Sequence, residues 1–303
     1  MVQITGLIDP IEADFLHHAI HTAVAQNALA LVVQLDSSNG VISQAAVDAL
    51  TAVISSSPVP VAVWVGPNGA RAYGPAFAIL RAAPLRGLAP GTRVGKELPS
   101  GAPTPLAHTT LSAGDALAQH VADISAPTLG DFIVSLDGKP AGTGSTATTL
   151  HTAEVIPGTG GELRRRPTVV TRFEKVSLMA QLLHTAASPS VAYLLLLIGL
   201  LAILLEFFTV GLGIASTVGV GCVVLASYGF GVLPFRVYAL VLLGVAILAF
   251  AIDLQAGVPR VWSVIGTVAI VIGTVRLFQG VSLSWLAMVV GVLGTVAFMI
   301  AGM

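Results

Sequence analysis

Polar and apolar positions divide the chain into two parts. Over roughly the first 140 residues, short β-rich apolar runs alternate with segments of helical period, and beyond residue 188 almost every position is apolar. In the first part Val2–Gly6, Ala28–Leu35 and Val59–Val65 are strand-like, and their alternation with helices predicts a parallel α/β sheet. In the first intervening helix Ile11, Phe15, Leu16 and Ile20 share one face, while His17, His18 and His21 lie largely off it. A second helix is expected from about Ile42 to Ser56, after an Asn39–Gly40 turn and ending in a Ser run before Pro58. Pro140–Thr152, rich in Gly, Thr and Ala, reads as a hairpin or loop, and Gly158–Pro167 as a hinge leading to the second part. The pattern thus separates an α/β domain over 1–140, a hairpin and juxtamembrane linker over 141–188, and an apolar domain over 189–303.

That apolar domain reads as an all-α bundle of transmembrane helices. No charge occurs from Val176 to Leu205, from Phe207 to Phe235 or from Leu277 to Met303. Each run exceeds the ~20 residues that cross a bilayer. Two shorter runs, Val237–Ile252 and Val261–Val275, reach spanning length if Arg236, Asp253, Arg260 and Arg276 extend to the interfaces. Five spans result: Ser190–Phe208, Gly211–Phe230, Arg236–Asp253, Pro259–Phe278 and Leu283–Ala301. Their short links predict an antiparallel bundle, with small residues such as Ala215/Gly219 and Thr217/Gly221 at helix-contact spacing.

Composition narrows the functional classes. Of the twenty-nine charged residues only five follow Ser188, and the formal net charge is -1, so the footprint of a nucleic-acid binder is missing. The single Cys222 excludes an intrachain disulfide framework or thiolate metal cage. His17 and His21, one turn apart, lack a nearby third ligand, so neither metal nor cofactor is expected. Glu206, in LLEFF at the end of the first span, has two readings: an intramembrane carboxylate of functional importance, or a charge at headgroup level. Arg164, Arg165, Arg166, Arg172 and Lys175 precede the first span, and with Arg236 and Arg276 they vote for a cytoplasmic N-terminal part. The opening MVQITGLIDP lacks the basic start and apolar core of a signal peptide, which points the same way. The Arg run serves equally as a topology signal or as a contact to anionic headgroups.

Candidate chemistry lies between Val61 and Gly95, where a buried strand runs into a Gly-containing turn and then a helix, as in hydrolases that present a nucleophile at a helix N-terminus. From here the chain resembles the NfeD family of membrane-bound proteins, whose N-terminal domain is similar to ClpP/crotonase-type serine proteases. LDSSNG at Leu35–Gly40 matches the family's LDTPGG, Pro67–Ala76 its PxGARAASAG, and Ala89–Gly95 its APGTxIG. Leu111–Ile124 and Leu136–Ala141 are similar to the helix and closing hairpin of that domain. Ser188–Gly211 is similar to the first membrane segment, NPxxAYxLLxxGxxxLxxEFxxPG. The resemblance implies a ClpP-like α/β domain on a five-helix membrane bundle, and a partner among stomatin (SPFH-type) membrane proteins. A homo-oligomer is compatible with it. It also implies an exported N-terminal domain, against the positive-inside count, and a small C-terminal OB-type barrel that does not follow Met303.

The departures from the family bear on catalysis. The position of the nucleophilic Ser is Gly74, and the next residue, which normally lends an oxyanion N–H, is Pro75, which has none. The glycine pair of the other oxyanion strand is Asn39–Gly40, and only some fifteen residues separate Gly95 from Leu111, where the family carries an insert with its catalytic Lys. Loss of one oxyanion donor alone costs ~3–4 kcal/mol of transition-state stabilisation. These losses predict a pseudoenzyme. The alternative is an active serine protease with rearranged residues, drawn as Ser37 or Ser38 with His108 or His120; a Ser after a strand is more commonly a turn residue, and Lys96 more commonly a solvated charge.

Overall fold

The structure is a computed structural model that describes residues 1–96, 109–141, 148–157, 163–209 and 213–302. The chain forms two compact units, Met1–Val176 and Ser177–Met303.

The first unit alternates strand and helix: β1 (Val2–Ile8), α1 (Pro10–Ala25), β2 (Leu31–Gly40), α2 (Gln44–Ser56), β3 (Val61–Val65), β4 (Arg71–Tyr73), α3 (Pro75–Ala82), β5 (Leu85–Leu88), β6 (Arg93–Gly95), β7 (Thr110–Ser112), α4 (Ala113–Ala118), β8 (Ile124–Ser125) and α5 (Leu129–Ser135). The sheet runs β7-β6-β4-β2-β3-β5-β8, with β1 adding to β2. Every pairing is parallel except β6 with β7. β2 divides the sheet: Leu31–Leu35 pair with β3, while Ser37 pairs with Ala72 of β4. All five residues of β3 are buried, because helices and loops cover both faces of the parallel sheet. Val61, Val63 and Val65 pack with Leu16, Leu50, Ile54 and Phe77, whereas Ala62 and Trp64 pack with Phe132 and Leu136 on the other face. Trp64 Nε1–H donates to the Ala126 carbonyl at 3.0 Å, so the indole is buried without an orphaned donor.

Two segments differ from expectation. Asn39–Gly40 is the end of a strand rather than a turn: β1 shifts register after Thr5, near Gly6 with φ +85°, and Leu7 and Ile8 thereby remain opposite Asn39 and Gly40. The described part of the hinge expected over Gly158–Pro167 is strand. After the small pair β9 (Pro140–Ala141) and β10 (Thr148–Thr149), β11 (Ala153–Pro157) pairs antiparallel with β12 (Leu163–Pro167), and residues 158–162 lie outside the described residues. Asp137 ties this hairpin down, accepting from the Thr152 and Ala153 amides and bridging to Arg165 at 2.6 Å.

The second unit opens with α6 (Leu178–Ala186) and continues with α7 (Pro189–Phe208), α8 (Ile214–Val232), α9 (Val237–Ala256), α10 (Val261–Arg276) and α11 (Trp285–Gly302). Each of the five predicted spans falls on one of the helices α7 to α11. Four are long and apolar enough to cross a bilayer; α10, with 16 residues, is a shorter apolar helix. Helices α7 and α8 approach at Gly199 and Gly219, where a Cβ on Gly219 would lie 2.7 Å from the Gly199 carbonyl oxygen. Gly221 faces open space, so only the Ala215/Gly219 pair of the two small-residue pairs belongs to this contact. Residues two apart in sequence, such as Gly219 and Gly221, point ~200° apart on a helix and cannot both face one neighbour. The α8–α9 and α10–α11 links are joined by an antiparallel bridge between Phe235 and Phe278.

Candidate functional site

The predicted strand–turn–helix is present. β4 ends at Tyr73, α3 begins at Pro75, and Gly74 between them has φ +57° and ψ -119°. An L-residue is held in that region only at a cost of order 1–3 kcal/mol, which glycine avoids. The turn is fixed by its backbone: the Gly74 N–H donates to the Lys96 carbonyl at 3.0 Å, and the Gly74 carbonyl accepts the Ala78 N–H at 3.1 Å. The elbow therefore has the shape that presents a nucleophile, with no side chain to present.

The residues expected at the oxyanion positions, Gly40 and Pro75, lie in contact. The Pro75 ring packs against the end of β2 so closely that a Cβ on Gly40 would lie 2.6 Å from Pro75 Cγ. The Gly40 N–H donates to the Asn39 side-chain oxygen at 2.9 Å, and the next amide, Val41, donates to the Ile8 carbonyl at 2.9 Å. One donor is absent at Pro75 and the other is spent on a neighbouring side chain, so no pair of amides converges on an anionic oxygen there.

The residues drawn for a rearranged dyad are held elsewhere. Ser37 is buried within β2 and its hydroxyl donates to the Asn39 carbonyl at 2.9 Å, a local side-chain-to-backbone bond. Ser38 is exposed and lines an open polar depression of about 340 Å³ with Gly6, Asp36, Gly69 and Arg71, which the elbow residues do not line. His120 is exposed at the C-terminal end of α4, and His108 lies outside the described residues. Lys96, beside the elbow in space, holds its ammonium 5.1 Å from the centre of the Tyr73 ring, where the ring face attracts a cation. On α1 the exposed His17 and His21 rings lie 4.6 Å apart.

Glu206 has a structural partner that the sequence reading did not name. Its carboxylate accepts from the Gly213 and Ala215 amides, capping the first turn of α8. Asp253 near the end of α9 repeats the device. It accepts from the Arg260 amide at 2.6 Å, the Ser263 amide at 2.7 Å and the Ser263 hydroxyl at 2.8 Å, at the start of α10. In both hairpins a carboxylate stands seven residues before the first amide it caps, and that spacing was readable in the sequence.

An α/β unit with a hydrolase elbow, joined to a bundle of apolar helices, defines a protease-like membrane protein, here with glycine at the elbow. Residues 190–303 match the NfeD integral membrane domain. The membrane-bound protease PH1510 of Pyrococcus horikoshii is 26% identical over 312 residues, covering 92% of this chain and 69% of the relative. A solved structure, the 1510-N membrane protease specific for a stomatin homolog from Pyrococcus horikoshii, aligns with a TM-score of 0.50 at 21% identity. The alignment covers 62% of this chain and 96% of that one, and the α/β unit thus shares the ClpP-like fold.

Proposed function

We propose that this protein is a membrane-anchored, NfeD-type pseudoprotease that works as a scaffold with stomatin-type membrane proteins in membrane organisation or quality control. In this reading the ClpP-like domain spans 1–140, a hairpin and juxtamembrane linker 141–188, and the membrane domain 189–303. The observation that carries it is the elbow: Gly74 supplies no hydroxyl, and the Pro75 ring occupies the space against Gly40. A stomatin partner is supported by one relative, the membrane-bound protease PH1510, whose N-terminal part is the solved protease specific for a stomatin homolog. A fold that recognises such a partner can retain the surface while losing the chemistry, because binding and bond cleavage depend on different groups.

The full-length protein in mild detergent is expected to remain unlabelled by a fluorophosphonate that reacts with activated serines, and to co-purify with a stomatin-type protein from native membranes. Labelling at one Ser, lost on Ser37→Ala or Ser38→Ala, would establish the active-protease alternative. Recovery of peptides alone would remove the support for a scaffold.

A further inference from the structure

Helix α6 has a face that the described residues leave uncovered. Leu178 is 84% exposed, Met179 65% and Leu182 46%, while Ala186 at its last turn is buried. Offsets of 1, 4 and 8 residues put all four on a single stripe about 100° wide. Gln181, on another side of the helix, is exposed, and α6 contains neither acidic residues nor Lys or Arg.

The helix is fixed at one end to the membrane bundle. Ala186 packs under Gly229 of α8, where a Cβ would collide with the Ala186 carbonyl. Ser188 is extended, with φ -73° and ψ 133°, and Pro189 opens α7, so α6 is a separate helix rather than an extension of the first span. Its nine residues make a rod of roughly 14 Å, far short of a bilayer crossing. A short amphipathic helix attached where a spanning helix begins meets the boundary between headgroups and acyl chains.

We infer that α6 lies in that boundary, with Leu178, Met179 and Leu182 inserted into the lipid of the bilayer that surrounds α7 to α11. The occupant of the exposed stripe is thus lipid, and the continuity of α6 with the membrane bundle is what selects it over a protein partner. The exposed Lys175, two residues before the Ser177 N-cap, stands in sequence where a phosphate contact would be made.

The test uses the full chain with Cys222→Ser, carrying Leu178→Cys, Leu182→Cys or Gln181→Cys, each labelled with an environment-sensitive fluorophore. The variants are reconstituted into phosphatidylcholine vesicles containing some phosphatidylglycerol. Labels at 178 and 182 are expected to emit to the blue and to be quenched by lipids spin-labelled high on the acyl chain, while the label at 181 is quenched by iodide from the aqueous phase. If 178 and 182 are quenched by iodide as readily as 181, α6 stands in water and the inference fails. If neither quencher reaches them, protein covers the stripe, and the inference fails equally. Two independent apolar positions guard against one label disturbing the helix.

Discussion

At the scale of single residues, the site is decided by what cannot be donated. Gly74 and Pro75 were legible in the sequence as departures from a motif, because motif positions are read one residue at a time. The closure of the site was not legible: it depends on the Pro75 ring meeting Gly40, two residues separated by the whole of α2 and β3. The carboxylates show the same limit. Glu206 stood out as a charge in an apolar run, yet its role follows from where the chain turns back to offer it the amides of α8. Asp253, with 1% exposure and three hydrogen bonds to the start of α10, is the stronger test of that role. Asp253→Ala is expected to destabilise the protein in detergent by about 1–2 kcal/mol, the loss typical of a helix N-cap. Asp253→Asn, which keeps an acceptor oxygen, should cost less. Melting temperatures of the two variants beside the parent measure both, and equal losses would contradict the capping account.

At the scale of elements, strongly periodic or uniformly apolar segments were legible, and segments whose structure depends on a distant partner were not. The spans and the central strands fall close to their expected places because their own residues demand burial. Helix α6 was absorbed into the uncharged run from Val176 to Leu205, although Ser188–Pro189 marks its end in the sequence. The Arg run read as a hinge because no local pattern announces its partner; in the fold Arg165 meets Asp137, twenty-eight residues away. The backbone hydrogen bonds from Ala153 and Thr152, together with Arg165, hold the Asp137 carboxyl below its ordinary pKa. A depressed carboxyl stabilises the fold fully above its unfolded-state value, and the contribution is lost as pH falls through the lower folded value. The anchorage of the β11–β12 hairpin at Asp137 should therefore hold at neutral pH and weaken under acid. Protection of the Thr152 and Ala153 amides, taken relative to their intrinsic exchange rates, is expected to fall below the ordinary carboxylate range, and in Asp137→Ala to be low at every pH. Acid-independent protection in the parent would contradict the link.

At the scale of the whole molecule, a protease-like fold and a membrane domain are joined in a chain whose elbow is shaped for a nucleophile it does not carry. The order of motifs along the sequence was enough to identify this architecture, because each motif marks a backbone feature: the end of β2, the elbow at Gly74, the turn before β6 and the start of α7. The central claim is that catalysis is absent for several reasons at once, and it is tested most directly by hydrolysis of apolar peptides by purified Gly74→Ser beside the parent protein and Gly74→Ser with Pro75→Ala. The new hydroxyl would sit at the elbow, but Pro75 withholds an oxyanion amide and the Lys96 side chain is held over the Tyr73 ring rather than aimed at residue 74. All three proteins are expected to show the same background rate. Turnover by Gly74→Ser clearly above the parent, abolished by adding Lys96→Ala, would reveal a base at the elbow and contradict the pseudoenzyme account.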